Sequence, residues 1–228
     1  MNQDFSTKFT GWSFLAAVAM MWGGWMLIPI PVGPYVEAEH FPVVSENRYL
    51  FVWAFRFYFF GVVFFVVALV ALAALISNSL ARVIIWPGAA VAAGGAFAYA
   101  LGSAFYYHHG YWGSLELEGQ SAEAVATYIE ATRFDSKYVT CFVRFGRLFS
   151  GLGVLLVSVG IMKWHPVPTW LGCLGLFIGL AAIAIVMASG DAFWVYAPVF
   201  HLQAIWLTGL GISILRKGLN PELLNSTA

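Results

Sequence analysis

The hydrophobic pattern of the chain consists of long, continuous apolar runs separated by shorter polar segments. Six of these runs reach the length of about 20 residues that a helix needs to cross a bilayer. They cover residues 11–30, 50–76, 83–106, 138–162, 169–189 and 193–215. Since the runs do not alternate apolar with polar positions, they indicate helices rather than strands of a barrel. The sequence therefore predicts an all-α, polytopic transmembrane bundle of six spanning helices, with residues 1–228 as a single transmembrane domain.

Residues 107–137, between the third and fourth runs, carry a different pattern. Apolar residues recur there at helical spacing while the glutamates fall on other faces, which predicts a short amphipathic helix on the membrane surface within this loop. The apolar positions are Ala122, Val125, Ala126 and Ile129. The stretch 106–112 before them is rich in tyrosine and tryptophan, which is typical of the lipid headgroup level.

Small residues form one face on each of two runs. Such faces let helix backbones approach closely in lipid, where packing must hold helices together. They predict that the third and fifth runs lie centrally in the bundle. The residues are Gly88, Ala92, Gly95 and Gly102 in the third run, and Gly172, Gly175 and Gly179 in the fifth.

The composition excludes several classes of protein. The chain is 61% hydrophobic and only 10% charged, whereas a soluble domain has about 25% charged residues, so its surface must meet lipid. The formal net charge is zero, which leaves no basic footprint for a nucleic-acid partner. Cys141 and Cys173 lie inside apolar runs and are interpreted as small buried hydrophobic residues rather than a disulfide framework.

The basic residues indicate how the chain is oriented. Lys8, Arg82, Lys163 and the pair Arg216 and Lys217 flank the runs on one side, and basic residues mark the cytoplasmic side. We therefore expect a multi-pass protein of the inner (plasma) membrane with both termini cytoplasmic and the long loops 31–49 and 107–137 outside. The first run is expected to be a retained helix, because its Ala-Val-Ala pattern at 17–19 comes too early for signal cleavage.

Four ionisable residues lie inside the apolar runs at a similar depth near the outer side. They are Arg56, Arg144, Arg147 and His201. One interpretation is that the arginines reach outward to headgroups or pair with Asp135, Asp191 or Glu46. The other is that the four residues line a binding pocket for an anion or a polar headgroup.

Histidines outside the membrane suggest a weaker metal hypothesis. His40, His108 and His109 could bind a metal together with Glu37 and Glu39, although no metal motif is present and adjacent histidines diverge on a helix. An interfacial polar cap is the alternative. A haem would need His201 and either His108 or His109 as axial ligands, so the cofactor is left unassigned.

The C-terminal 80 or so residues resemble a bacterial family of six-helix membrane proteins catalogued only as a domain of unknown function. The resemblance rests on the segment Gly160-Ile161-Met162-Lys163, on Pro168-Thr169-Trp170-Leu171-Gly172 at the start of the fifth run, and on Trp206 to Ile212 before Arg216. It implies a six-helix membrane fold and transfers no catalytic residue.

Three function hypotheses follow from these observations. The first is an accessory or scaffold subunit, or a binding module, of a membrane assembly, with lipid, other membrane subunits or a second copy as partners. The second is a membrane-embedded enzyme or redox protein acting on a lipid-soluble substrate such as a quinone. The third is a small transporter of anions or other solutes.

Overall fold

The computed structural model describes residues 3–30, 37–76, 78–189 and 193–219. This part of the chain is helical and contains no strand, as the continuous apolar runs predict. The helices are α1 (Gln3–Met26), α2 (His40–Glu46), α3 (Arg48–Leu75), α4 (Ser79–Glu116), α5 (Ala122–Trp164), α6 (Thr169–Ser189) and α7 (Phe193–Lys217).

Five of these helices are long and apolar enough to cross a membrane. They lie within Arg48–Leu75, Leu80–Glu116, Ala122–Trp164, Thr169–Ser189 and Val195–Lys217. The prediction of an all-α membrane protein is confirmed at that level. The helix of the first run, α1, has 24 residues but is outside this apolar set.

The prediction that residues 107–137 form a loop with a separate surface helix is wrong, because these residues mostly belong to two long helices. Residues 122–133 are helical, but they are the first turns of α5, and α4 continues to Glu116. With 38 and 43 residues, these helices are roughly 57 and 65 Å long, about twice the thickness of a hydrocarbon core. They form a helical hairpin that extends beyond the apolar part of the bundle. The turn between them is short because Gly119 adopts a positive φ of 74° and Ser121 caps α5 through the Ala124 N–H.

The six long helices form a closed ring in which each contacts the next one along the chain. α1 packs against α3, then α4, α5, α6 and α7 follow, and α7 returns to α1. The ring has a termini side, where α1 begins and α7 ends, and a hairpin side, where α4 and α5 are joined. The short helix α2 packs against α3 and α4 on the hairpin side.

The predicted small-residue faces hold α4, α5 and α6 together. A Cβ added to Gly146 of α5 would lie 2.6 Å from the Tyr99 nitrogen of α4, and one added to Gly179 of α6 would lie 2.7 Å from the Gly151 oxygen of α5. Both predicted faces are therefore directed at α5. Because the helices form a ring, neither α4 nor α6 is central, and α5 meets a small-residue face on each of its two sides.

Glycines also close the ring between α1 and α7. A Cβ at Gly211 would lie 3.0 Å from the Gly11 oxygen, so the two helices touch through their backbones. Inside the ring, the half nearest the termini side is filled by buried apolar side chains. They include Phe65, Leu69, Leu72, Ile85, Ile161, Leu171 and Ile214.

Candidate functional site

The four ionisable residues singled out from the sequence lie at one level of the bundle. Counted along each helix from its termini-side end at 1.5 Å per residue, His201, Arg147, Arg56 and Arg144 lie about 24 to 30 Å up the ring. A hydrocarbon core is about 30 Å thick, so this level lies roughly one core thickness from the termini-side ends of the helices. The shared depth expected from the sequence is therefore present in the structure.

The structure does not bring all four side chains together. Arg147 is 4% exposed and lies inside the ring, whereas Arg56 and Arg144 are exposed on its outer surface. Residues three apart on a helix differ by about 60° around the axis, which is enough to separate Arg144 from Arg147. Arg56 lies over the ring of Trp53, with its guanidinium carbon 5.0 Å from the ring centroid.

Arg147 faces a cavity in the centre of the ring. The cavity has a volume of about 30 Å³ and is lined by residues of α1, α3, α4, α5 and α7. Its polar lining residues, besides Arg147, are Tyr58, Tyr99, Ser150, Tyr196 and Gln203. A water molecule needs roughly 10–15 Å³ of such space, so the cavity has room for about two waters or one small ion.

Two tyrosine rings flank the guanidinium group. Its carbon lies 4.5 Å from the Tyr196 centroid and 5.8 Å from the Tyr99 centroid. A cation against an aromatic ring in a dry site gains about 2 kcal/mol. The guanidinium of Arg147 also carries five N–H donors arranged in one plane. The site therefore combines a buried positive charge with donors of fixed geometry.

Close helix packing fixes the position of Arg147. Its neighbour Gly146 packs against the Tyr99 backbone, and Gly95 packs against Ser150 one turn further along α5. Because these contacts involve backbone atoms, α5 cannot rotate or slide without disturbing α4. The side chains of Tyr99, Arg147 and Ser150 are consequently held at the cavity by the same contact that joins the two helices.

His201 does not line the cavity but joins α7 to α1. The Trp22 Nε1–H donates a hydrogen bond of 2.9 Å to His201 Nδ1, so the neutral ring carries its proton on Nε2. The Trp25 ring lies edge-on with its centroid 5.4 Å away. His201 thus connects two helices at the level of Arg147.

We expect Trp22→Phe to weaken this connection. The substitution keeps an aromatic ring but removes the indole N–H that donates to His201. This loss should lower the free energy of unfolding by about 1 kcal/mol. Thermal unfolding in detergent would measure it. Trp12→Phe is the matched control, because Trp12 is 63% exposed on the same helix. Equal effects of the two variants would contradict a structural role for the Trp22–His201 bond.

The histidines proposed as metal ligands occupy two separate places. Ligand atoms of Glu37, Glu39 and His40 lie within 4.8 Å of one another. His40 Nδ1, however, accepts the Glu37 N–H at 3.1 Å, so the histidine closes the turn that precedes α2. Within the described residues, His108 and His109 belong to α4 and are not part of this group.

The two α4 histidines also lie far from His201. His109 Nδ1 is 3.1 Å from the Tyr128 hydroxyl, while His108 is exposed. Counted along the helices, His108 and His109 are about 20 Å higher in the bundle than His201. They cannot therefore provide the second axial ligand to an iron bound by His201.

Three ion pairs between described residues lie outside the ring. They join Lys8 to Asp4 at 2.8 Å, Arg48 to Glu118 at 3.3 Å, and Arg133 to Glu130 at 2.9 Å. Asp135 and Glu46, predicted as possible partners of the arginines in the apolar runs, take part in no ion pair within this part of the chain. Asp191, the third predicted partner, lies outside the described residues.

Sequence reasoning missed the tyrosines of the site. Tyr58, Tyr99 and Tyr196 lie about 25 to 31 Å from the termini-side ends of their helices, the same level as Arg147. Counting the depth of every polar side chain in the apolar runs, rather than of the ionisable ones alone, would have revealed them.

Comparisons with known proteins add no relative to this picture. A scan against models of protein families, a search of curated proteins and a search of solved structures each find no match to the chain. The functional argument therefore rests on the geometry around Arg147.

Proposed function

We propose that the protein is an integral membrane binding module that holds a small anion at Arg147 and serves as an accessory subunit of a membrane assembly. The observation that carries the proposal is the burial of Arg147 at a central cavity of the ring that five further polar residues help to line. Removing a guanidinium from water is costly unless other groups compensate its charge. An anion in the cavity would add such compensation and would accept hydrogen bonds from the N–H groups of the guanidinium.

The size of the cavity favours a small anion over a larger substrate. Pockets for drug-sized molecules and cofactors measure about 300–1,000 Å³, whereas this cavity has about 30 Å³. A quinone ring does not fit that space. The geometry therefore supports binding of an anion the size of a halide better than redox chemistry on a quinone.

The packing of the ring favours binding over transport. Between the cavity and the termini side, the interior is filled by buried apolar residues such as Phe65, Leu69 and Ile85. An anion crossing this layer would lose its hydration without gaining polar partners. The arrangement supports access to Arg147 from the hairpin side alone.

The proposal includes the membrane topology. We infer that α1 is a sixth span, because it fills the ring between α3 and α7. Six crossings put both termini on one side, and the basic residues Lys8, Arg82 and Lys163 favour the cytoplasmic side of the inner membrane. The hairpin of α4 and α5 then projects outside, where it is available to other subunits.

Thermal unfolding of the detergent-purified protein tests the anion site. At constant ionic strength, replacing gluconate with chloride should stabilise the protein, by about 2.7 kcal/mol when the anion is at about 100 times its Kd. Arg147→Gln should abolish this response. Arg144→Gln is the matched control, because it removes an exposed arginine one turn away on the same helix.

A second variant covers the case in which Arg147→Gln does not fold. Tyr196→Phe keeps the ring that flanks the guanidinium and removes only its hydroxyl, so it should fold and weaken the chloride response. The proposal is wrong if chloride, fluoride and nitrate all leave the wild-type unfolding temperature unchanged. It is equally wrong if Arg147→Gln and Arg144→Gln respond to chloride alike.

A further inference from the structure

A second cavity lies outside the ring, between α2 and the turn that joins α4 to α5. It is a cleft of about 380 Å³, within the range of about 300–1,000 Å³ that is typical of small-molecule sites. Leu117, which lines the cleft and follows the last residue of α4, is about 57 Å from the start of that helix. The cleft is thus well beyond the apolar part of the bundle and far from Arg147.

Apolar side chains from three elements form much of the cleft wall. They are Ala38, Phe41, Pro42, Leu117 and Val125. Phe41 is fixed in place, because its ring lies edge-on to Tyr128 with centroids 5.9 Å apart and touches α4 where Gly113 has no side chain. Phe41 itself is buried, so it supports the cleft from behind, and the accessible apolar wall comes from Ala38, Pro42, Leu117 and Val125.

One of the two carboxylates at the cleft is already compensated. Arg48 Nη2 donates to Glu118 Oε2 at 3.3 Å and to Ser45 Oγ at 3.1 Å. The Ser45 hydroxyl in turn donates to Glu118 Oε1 at 3.3 Å. This network ties the segment around α2 to the end of α4 and leaves Glu118 with a cationic partner.

The other carboxylate, Glu46, has no such compensation. Glu46 lines the cleft, is exposed, and takes part in no ion pair in the described ranges. The two long polar segments of the hairpin side, 31–49 and 107–137, are acidic, since together they carry eight carboxylates and three basic residues. Such a surface raises the local concentration of cations.

We propose that this cleft binds an organic monocation with an apolar body. The ammonium group lies against Glu46, and the body packs on Pro42 and Leu117. A bare metal ion would leave most of the volume empty, and an anion would be repelled by the surrounding carboxylates. A neutral apolar molecule would make no charge-assisted contact with the Glu46 carboxylate.

Titration calorimetry on the full-length protein in nanodiscs of zwitterionic lipid tests the proposal with 2-phenylethylammonium as the probe. The neutral isostere 2-phenylethanol and the body-less methylammonium should both bind more weakly. Glu46→Gln should raise the Kd for 2-phenylethylammonium about fivefold, as expected for a partly exposed charge-assisted contact. Glu123→Gln, an exposed carboxylate of α5 outside the cleft, should leave the Kd unchanged.

Several outcomes would overturn the assignment. They are the absence of saturable binding, equal binding of 2-phenylethanol, and equal effects of Glu46→Gln and Glu123→Gln. Because Glu46 is exposed, its substitution should not prevent folding. The chloride response at Arg147 should be unchanged in Glu46→Gln, so this experiment and the test of the anion site give independent results.

Discussion

Gly95→Ala is expected to destabilise the protein, whereas the same substitution at the adjacent Gly94 is not. A Cβ at Gly95 would overlap the backbone nitrogen of Ser150 and lie 2.8 Å from the Gly146 oxygen. Since backbone atoms of α5 cannot move aside alone, the two helices must separate. We expect a loss of about 1–3 kcal/mol, the usual cost of overpacking a tight contact.

Gly94 provides a matched control in the same turn of α4. A Cβ there meets nothing within 4 Å, and alanine favours a helix over glycine by about 1 kcal/mol. Gly94→Ala should therefore be neutral or slightly stabilising. Reversible unfolding in mixed detergent would measure both variants under the same conditions.

The Gly95 variant should also affect the anion site. Because the contact holds Ser150 and Gly146 beside Tyr99, separating the helices displaces Arg147 from the tyrosine rings. Gly95→Ala should therefore lose part of the chloride response, and Gly94→Ala should retain it. If Gly95→Ala were as stable as Gly94→Ala, the close α4–α5 contact would be contradicted.

Trp206→Ala is expected to have the largest effect on stability of any single truncation proposed in this chain. Trp206 is fully buried, at 0% exposure, and its Nε1–H donates to the Leu171 carbonyl at 2.8 Å. The side chain thereby fills the space where α6 and α7 meet and links them. Truncating a buried tryptophan to alanine costs about 3–5 kcal/mol.

Two further variants separate packing from hydrogen bonding at this contact. Trp206→Phe keeps most of the volume and loses the N–H, so it should cost only about 1–2 kcal/mol. Trp170→Ala is the control, since Trp170 is 54% exposed on α6. Chemical unfolding followed by circular dichroism would rank the three, and a Trp206→Ala variant as stable as Trp170→Ala would refute the packing described for this residue.

Much of the helical fold could be predicted from the sequence because lipid leaves few alternatives. A continuous apolar run of some 20 residues must satisfy its backbone internally, and five such helices are present. The end of α4 could not be predicted in the same way. The apolar pattern changes near Tyr107 because the helix leaves the apolar layer. Such a change predicts the end of a helix, although α4 continues to Glu116.

The depth of the site could be predicted, but the direction of its side chains could not. In a soluble helix the apolar face marks the interior, whereas in a membrane bundle the lipid-facing and buried surfaces are both apolar. Nothing in the sequence therefore indicated that Arg147 faces inward and Arg144 outward. The tyrosines were missed for a related reason, because a tyrosine ring is largely apolar and does not interrupt an apolar run.

The small residues were informative because their effect is geometric. Gly88, Gly95 and Gly102 marked a contact face on α4 without any knowledge of its partner. The partner of each face could not be deduced. α5 carries glycines toward both of its neighbours, and the sequence does not indicate which side of α5 faces α4 and which faces α6.

The contact between α1 and α7 constrains how the chain is made. Among the helices of the ring, α1 is synthesised about 190 residues before the end of α7. At roughly 5–20 residues per second, α1 therefore lacks its contact with α7 for about 10–40 s. Two hydroxyl groups of α1 are buried in the complete ring, and each donates to a carbonyl of its own helix rather than to a neighbouring helix. Thr10 Oγ1 bonds the Ser6 carbonyl and Ser13 Oγ bonds the Phe9 carbonyl, both at 2.8 Å. These two side chains therefore need no hydrogen-bond partner from α7, and α1 can satisfy them before the ring is complete.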